Sequence, residues 1–177
     1  GGGTGIGRAI ALGLAAEGAR VVVMGRREDK LLEVSAEASA LPGELIPFVG
    51  DVADDRLPGR LSAFVDERFG RLDVLIHNAG VFAPDALENL SAESFDQQMA
   101  INLRGPLFLT QALVPLLERG APSVVVMVSS NLGVKPIPNT LSYSVSKAAL
   151  NHAVLALATE LGPKGIRVNG VSPGVID

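Results

Sequence analysis

The chain has 177 residues, 47% of them apolar and twenty of them glycine, which suits one folded domain and excludes a disordered segment. Its formal charge of −4, without basic clusters, argues against nucleic-acid and anionic-membrane partners. With no cysteine, and with His77 and His152 far apart, no disulfide, thiolate nucleophile or metal centre is expected.

Gly1-Gly2-Gly3-Thr4-Gly5-Ile6-Gly7 reads as a glycine turn running into a helix. Ile6, Ile10 and Leu14 recur every four residues and predict its apolar face, and Gly18 is placed to stop it. Glycines let backbone approach a ligand closely, and a helix N-terminus offers N–H groups to an anion. The spacing is G-x-x-x-G-x-G, unlike the G-x-G-x-x-G fingerprint, and no strand precedes it; a flexible glycine-rich end is the competing reading. Residues 20–24 predict a short buried strand ending at Gly25-Arg26-Arg27. In a dinucleotide fold an acid near this point holds the ribose 2′-hydroxyl, whereas arginine accommodates a 2′-phosphate. Arg26 and Arg27 stand here before any acid, which favours NADP over NAD, against the alternative of a solvated basic turn leading into a helix over 28–40.

Residues 45–49 predict the next strand, leading to Asp51-Val52. Asp51 either accepts from an adenine amino group or caps the helix predicted over 57–69, which Gly70 closes. A strand over 72–76 ends in His77-Asn78-Ala79-Gly80, small residues that let something approach the strand end. Asn78 can bridge neighbouring strands, and His77 reads as a packed or hydrogen-bonded residue rather than an acid/base. Ser91 resembles an N-cap, and the helical region behind it runs to Gly120. Asn102 lies in its apolar part, so its amide either binds neighbouring backbone or opens a kink that holds water. Residues 123–128 form a β-branched run suited to a parallel strand buried on both faces, and deliver Ser129 and Ser130 to its end. A helix from Tyr143, stopped by Gly162-Pro163, precedes a strand over 166–171 and Ser172-Pro173-Gly174.

Tyr143 and Lys147 lie one turn apart on one helix face. A phenol ordinarily ionises near pKa ~10, and bringing it to about 7 takes roughly 4 kcal/mol. A cation ~4 Å away in an effective dielectric of ~20 supplies that order of energy, so the pair suits general acid/base work. Tyr-x-x-x-Lys also arises by chance, as half-buried packing beside a solvated lysine. Placement tips the balance. Alternating strands and helices predict a parallel sheet with helices on both faces, and such sheets bind ligands at the carboxyl ends of their strands. Arg26, Asp51, Asn78, Ser130 and Pro173 all follow predicted strands, and Tyr143 begins a helix that can face Ser130.

Together these residues resemble the short-chain dehydrogenase/reductase family of NAD(P)-dependent oxidoreductases. The matching motifs are Gly1-x-x-x-Gly5-Ile6-Gly7, Asp51-Val52, Asn78-Ala79-Gly80 and Asn102-Leu-Arg-Gly105. Ser130 thirteen residues before Tyr143, Tyr143-x-x-x-Lys147 and Pro173-Gly174 complete the set, in family order over essentially the whole chain. The resemblance implies an α/β, Rossmann-type doubly wound parallel sheet ordered 3-2-1-4-5-6-7, with the first and last strands absent here. It implies hydride transfer between a nicotinamide and a carbonyl or alcohol carbon. Tyr143 would exchange the proton with the substrate oxygen and Ser130 would hydrogen-bond that oxygen. Lys147 would bind the ribose hydroxyls and keep the phenol acidic, and Asn102 would hold a water linking Lys147 to solvent. Gly1, Gly5, Ile6, Gly7, Arg26, Arg27, Asp51, Val52, Asn78, Ala79, Gly80, Pro173 and Gly174 would join Tyr143 and Lys147 in binding the cofactor, NADP or alternatively NAD.

The resemblance also implies a homotetramer or homodimer through the helices carrying Asn102 and Tyr143. His77 and Ser172 depart from the family pattern, which usually has Asn at both places. Residues 1–177 are thus expected to be a single NAD(P)-binding domain truncated at both ends, a piece of a longer chain that binds cofactor poorly by itself. The leading function is NADP-dependent reduction of a small-molecule carbonyl, with the 3-oxoacyl-thioester type as one candidate, or the reverse oxidation. A non-catalytic dinucleotide-binding sensor or scaffold is the alternative, and a nucleotide-sugar epimerase fits the glycine spacing less well. No apolar run approaches the ~18 residues of a membrane span, and a cytoplasmic protein is expected.

Overall fold

A computed structural model describes residues 1–176. Helices and strands alternate as the pattern predicts: α1 Gly5–Ala16, β1 Arg20–Gly25, α2 Glu28–Glu37, β2 Glu44–Val49, α3 Leu57–Phe69 and β3 Val74–His77. They continue as α4 Ala92–Met99, α5 Gly105–Arg119, β4 Ser123–Val128, α6 Leu141–Leu161 and β5 Ile166–Val171. Every strand pairing is parallel. The strands form two sheets, β1–β2 and β3–β4–β5, whose neighbours are those the implied family order contains. The sheets belong to two compact units, Gly1–Asp51 and the chain from Val52 onward.

In the first unit, β1 and β2 run in register with Val21 beside Leu45 and Val23 beside Pro47. Pro47 lacks a donor, which an edge strand tolerates. The core comprises Ala11, Ala15, Val23, Leu31, Val34, Ala38 and Leu45. Helix α1 therefore buries Gly7, Ala11 and Ala15, not the expected Ile6, Ile10 and Leu14; Ile6 is 37% exposed. The physical reason is close approach. Gly43 donates its N–H to the Ala15 carbonyl at 2.8 Å, and a Cβ on Gly43 would lie 2.9 Å from Ala15 Cα, so only a small residue fits at this end of the face. Gly18, at φ +85°, ends the helix as expected: its N–H reaches Ala15 O at 3.0 Å, and Ala19 N–H reaches Leu14 O at 3.0 Å.

In the second unit β4 lies between β3 and β5, with Val125 and Met127 fully buried, as its branched run predicts. Leu117, Leu150, Leu161, Ile166 and Val168 pack with them. Ser91 caps α4 by accepting from Ser94 N–H at 3.1 Å. A π-helical turn, Ala100–Arg104, joins α4 to α5. Asp51 does not cap α3, which starts only at Leu57; the turn before it is held by Asp54, whose carboxylate accepts from Arg56 N–H at 2.9 Å. Gly70 closes α3 at φ +69°. Gly162-Pro163 begins a short 3-10 turn, and the left-handed residue that ends it is Gly165 at φ +76°.

One expectation needs correction. The joined helix Ala92–Arg119 spans 28 residues, with a mean hydropathy of 1.2 in its most apolar stretch, so by length and composition it is able to cross a bilayer. Half of that stretch is buried, and Leu109, Leu113, Leu116 and Leu117 are core residues. The helix length was foreseen; its apolar character was missed because Gln98 and Asn102 interrupt the apolar run, and both are themselves fully buried.

Candidate active site

Helix α6 carries Lys147 on an inward face in its second turn. The ammonium, 3% exposed, donates to the Val128 carbonyl at 2.9 Å, and Ser129 Oγ donates to the Lys147 carbonyl at 3.2 Å. These two bonds tie the end of β4 to α6. Burial strips hydration from the ammonium and lowers its pKa to about 8. The nitrogen lies 5.7 Å from the centre of the Tyr143 ring, as the four-residue spacing predicts. That ring is half-buried and meets Phe82 edge-on, with centroids 5.1 Å apart.

Gly80 faces the same group. A Cβ there would lie 3.4 Å from Asn102 Oδ1 and 3.5 Å from Lys147 Nζ, so glycine leaves space directly before both side chains. Of the two alternatives its sequence context suggested, Asn102 takes the first and binds neighbouring backbone. It sits in the π turn, and its Oδ1 accepts from Val81 N–H at 2.8 Å. Its Nδ2 donates to Val81 O at 2.9 Å and to Ser146 Oγ at 3.0 Å. Both amide protons are spent, which leaves neither for the water implied by the resemblance.

Two residues with a structural part in this site went unnoticed in the sequence. Gln98, one turn before Asn102, accepts from Ala83 N–H and donates to Ala83 O, both at 3.2 Å. Its signal was available: two amides four residues apart share a helix face. Asp85 is buried, and its carboxylate accepts from Ser142 N–H at 3.0 Å and from the Ser142 hydroxyl. That contact spans 57 residues, so nothing local announces it.

Ser130, 8% exposed, lies just past β4. Its Oγ accepts from Leu132 N–H at 3.2 Å and donates to Asn131 Oδ1 at 3.4 Å, capping the turn Asn131–Gly133. The Pro173 carbonyl accepts from Asn131 N–H at 2.9 Å, and a Cβ on Gly174 would lie 3.6 Å from Asn131 Nδ2. Asn78, Ser130 and Pro173 thus follow β3, β4 and β5 at the carboxyl edge of their own sheet. Val52 lies in this unit too, so close to Gly105 that a Cβ there would come within 2.6 Å of the Val52 carbonyl oxygen.

In the first unit Arg26 and Asp51 follow β1 and β2 and form an ion pair at 3.9 Å. Gly1 and Gly2 donate to the Met24 carbonyl at 2.7 and 2.9 Å, which places the glycine turn beside the end of β1. Arg27 Nη2 reaches Thr4 Oγ1 at 3.4 Å. Gly5, at φ +53°, has nothing within 4 Å of where a Cβ would stand. No side chain caps the start of α1 at Gly5, Ile6 and Gly7, so this end suits an anionic ligand by its open approach and its N–H groups.

His77 plays the packing part expected of it. It is buried, and burial lowers its pKa to about 4, so the imidazole is neutral near pH 7. Its Nε2 lies 2.8 Å from Thr110 Oγ1, whose own proton goes to the Pro106 carbonyl at 2.8 Å. The imidazole is therefore the donor, with its proton on Nε2.

A family model described as short chain dehydrogenase matches residues 1–177. An uncharacterised oxidoreductase of Thermotoga maritima is 39% identical over 174 residues, covering 98% of this chain and 68% of that protein. The 3-oxoacyl-[acyl-carrier-protein] reductase of the same organism is 34% identical over 174 residues, covering 98% of this chain and 71% of that protein. A solved short-chain dehydrogenase from Streptomyces avermitilis matches with a TM-score of 0.93 at 34% identity, over 100% of this chain and 64% of that one. The chain thus spans 64–71% of the length of these three proteins. With the Tyr143–Lys147 pair, the Gly80 turn and parallel strands alternating with helices all in place, the chain belongs to the short-chain dehydrogenase family.

Proposed function

We propose that the protein is an NADP-dependent oxidoreductase that interconverts a carbonyl and a secondary alcohol, with Tyr143 as the acid/base. The observation that carries this reading is the buried Lys147 ammonium beside the Tyr143 ring, tied to Val128 at the end of β4, two residues before Ser130. The residues fit a nicotinamide dinucleotide. Gly80 leaves room before Lys147 and Asn102, and the uncapped start of α1 suits a pyrophosphate. A bound nicotinamide would supply or accept the hydride at the substrate carbon. Tyr143 gives its proton to the carbonyl oxygen in reduction and takes it back in oxidation. Ser130 Oγ accepts from Leu132 N–H at 3.2 Å and gives its own proton to Asn131 Oδ1 over a long 3.4 Å bond, so the hydroxyl proton can turn to the same oxygen. Lys147, charged below pH about 8, offsets the negative charge left on the phenol oxygen and would hold the ribose hydroxyls.

Arg26 and Arg27 support NADP over NAD, since a guanidinium suits a 2′-phosphate. The likeness to the Thermotoga 3-oxoacyl-[acyl-carrier-protein] reductase supports a 3-oxoacyl thioester as the substrate class. Large exposed side chains, Phe108 on α5 and Leu155 on α6, support a homodimer or homotetramer through those helices. The test is NADPH oxidation dependent on an added 3-oxoacyl thioester or ketone. Tyr143→Phe should lower kcat about 10²- to 10⁴-fold while cofactor binding persists. Cofactor binding with no turnover of any carbonyl or alcohol would instead favour a dinucleotide sensor.

A further inference from the structure

Residues 81–84 belong to no helix or strand, and it is side chains that hold much of their backbone. Asn102 takes both the N–H and the carbonyl of Val81, and Gln98 takes both from Ala83. The two amides stand four apart on one helix face and their targets two apart in the segment they hold, so one face of the helix meets every second residue. Both amides are fully buried. The third position of the alternation is Asp85, and it reaches α6. Its N–H donates to Asn139 O at 3.1 Å, and its carbonyl accepts from Leu141 N–H at 3.4 Å.

Thr140 occupies the N-cap of α6 but makes no side-chain cap; its hydroxyl donates to the Ile137 carbonyl at 2.7 Å and lies 2.8 Å from Ser144 Oγ. The cap is supplied instead by Asp85, whose carboxylate takes the N–H and the hydroxyl of Ser142. A carboxylate there satisfies an orphan donor and faces the positive end of the helix. Tyr143 is the next residue. On the clamped segment, Phe82 meets the edge of its ring.

We propose that Asp85 is a positioning residue for Tyr143: its carboxylate, carried on a segment clamped by Gln98 and Asn102, fixes the first turn of α6 and with it the seat of the phenol against Phe82. The functional consequence rests on the acid/base reading of Tyr143. Misplacing a reacting group by ~1 Å costs up to about 10²-fold in rate.

The experiment uses Asp85→Ala, Asp85→Asn and Asp85→Glu in the full chain, with two readouts. One is kcat and KM with NADPH and the carbonyl substrate. The other is near-ultraviolet circular dichroism in the tyrosine band, which reports on Tyr143 alone because the chain has one tyrosine and no tryptophan. Asp85→Ala should lower kcat about 10- to 100-fold, leave the NADPH KM within about twofold, and weaken the tyrosine band. Asp85→Asn keeps an acceptor for Ser142 N–H and should recover most of both. If the alanine variant loses its far-ultraviolet spectrum, Asp85→Glu decides: it keeps charge and acceptor but moves them by a methylene. A glutamate variant that folds with kcat at least about fivefold lower and an altered band supports the proposal. Variants that fold with unchanged kcat and an unchanged band overturn it, as does an asparagine variant that folds but is as impaired as alanine. A band that responds in this order without any carbonyl turnover removes the acid/base reading and supports Asp85's hold on Tyr143.

Discussion

Lys147 and His77 are buried bases whose pKa values fall on folding, and each imprints a different pH window. For Lys147 the folded value is about 8 against an ordinary 10.5. Between those values the unfolded chain binds the extra proton, so stability rises with pH across the window, by about 3 kcal/mol in full. The proposed catalysis needs the ammonium, so kcat should fall as pH passes about 8 while the unfolding free energy climbs. Rate profiles and urea titrations over that range check the opposition, and Lys147→Met should flatten the stability slope. For His77 the folded value is about 4 against 6.5. Here too the unfolded chain binds the extra proton inside the window, so stability is lost as pH falls from 6.5 through 4, again by about 3 kcal/mol. His77→Asn should remove most of that acid sensitivity, read as the change in urea midpoint between the two ends of the window; an unchanged difference would contradict burial as the cause. Both residues were legible in sequence as members of motifs. Their burial was not, because it depends on partners such as Val128 and Thr110, which lie 19 and 33 residues away.

Among the elements, the short turn after β4 is the most tightly fitted to the site. A Cβ on Gly133 would come within 2.8 Å of both the Lys147 carbonyl carbon and Asn151 Nδ2. Gly133→Ala must therefore push the Ser130 turn off α6, which should destabilise the protein by about 1–3 kcal/mol and reduce turnover, checked by thermal unfolding beside kinetics. A fully active alanine variant of native stability would show that the turn is looser than this. Element positions were legible because periodicity and β-branching are local properties: β4 and α6 fall where the apolar pattern puts them. The face of α1 was misread because hydropathy favours isoleucine, whereas the helix buries Gly7, Ala11 and Ala15, and Gly43 approaches Ala15 so closely that only a small residue fits there. Of the two alternatives for Asn102, its amide takes the backbone bonds to Val81, and the π turn it sits in was not foreseen. The cap of α6 was missed because it comes from another segment.

For the molecule as a whole, strand neighbours set which regions open first. β4 is hydrogen-bonded on both sides, whereas β1 and β2 have one neighbour each in their sheet. Hydrogen exchange should therefore be slowest in β4 and clearly faster in β1 and β2, since strands with fewer partners open at lower free energy. Equal protection across the two sheets would contradict this. The parallel direction of the strands was readable from the alternation of elements, because parallel strands require helical crossovers, whereas their neighbours came only with the family resemblance. There is a consequence in how residues 81–85 are held. A main-chain ladder is blind to substitution, but here the rungs are two amides of unequal reach, one a methylene longer than the other. The wall beside the phenol can accordingly be re-aimed one codon at a time, with every strand left as it is.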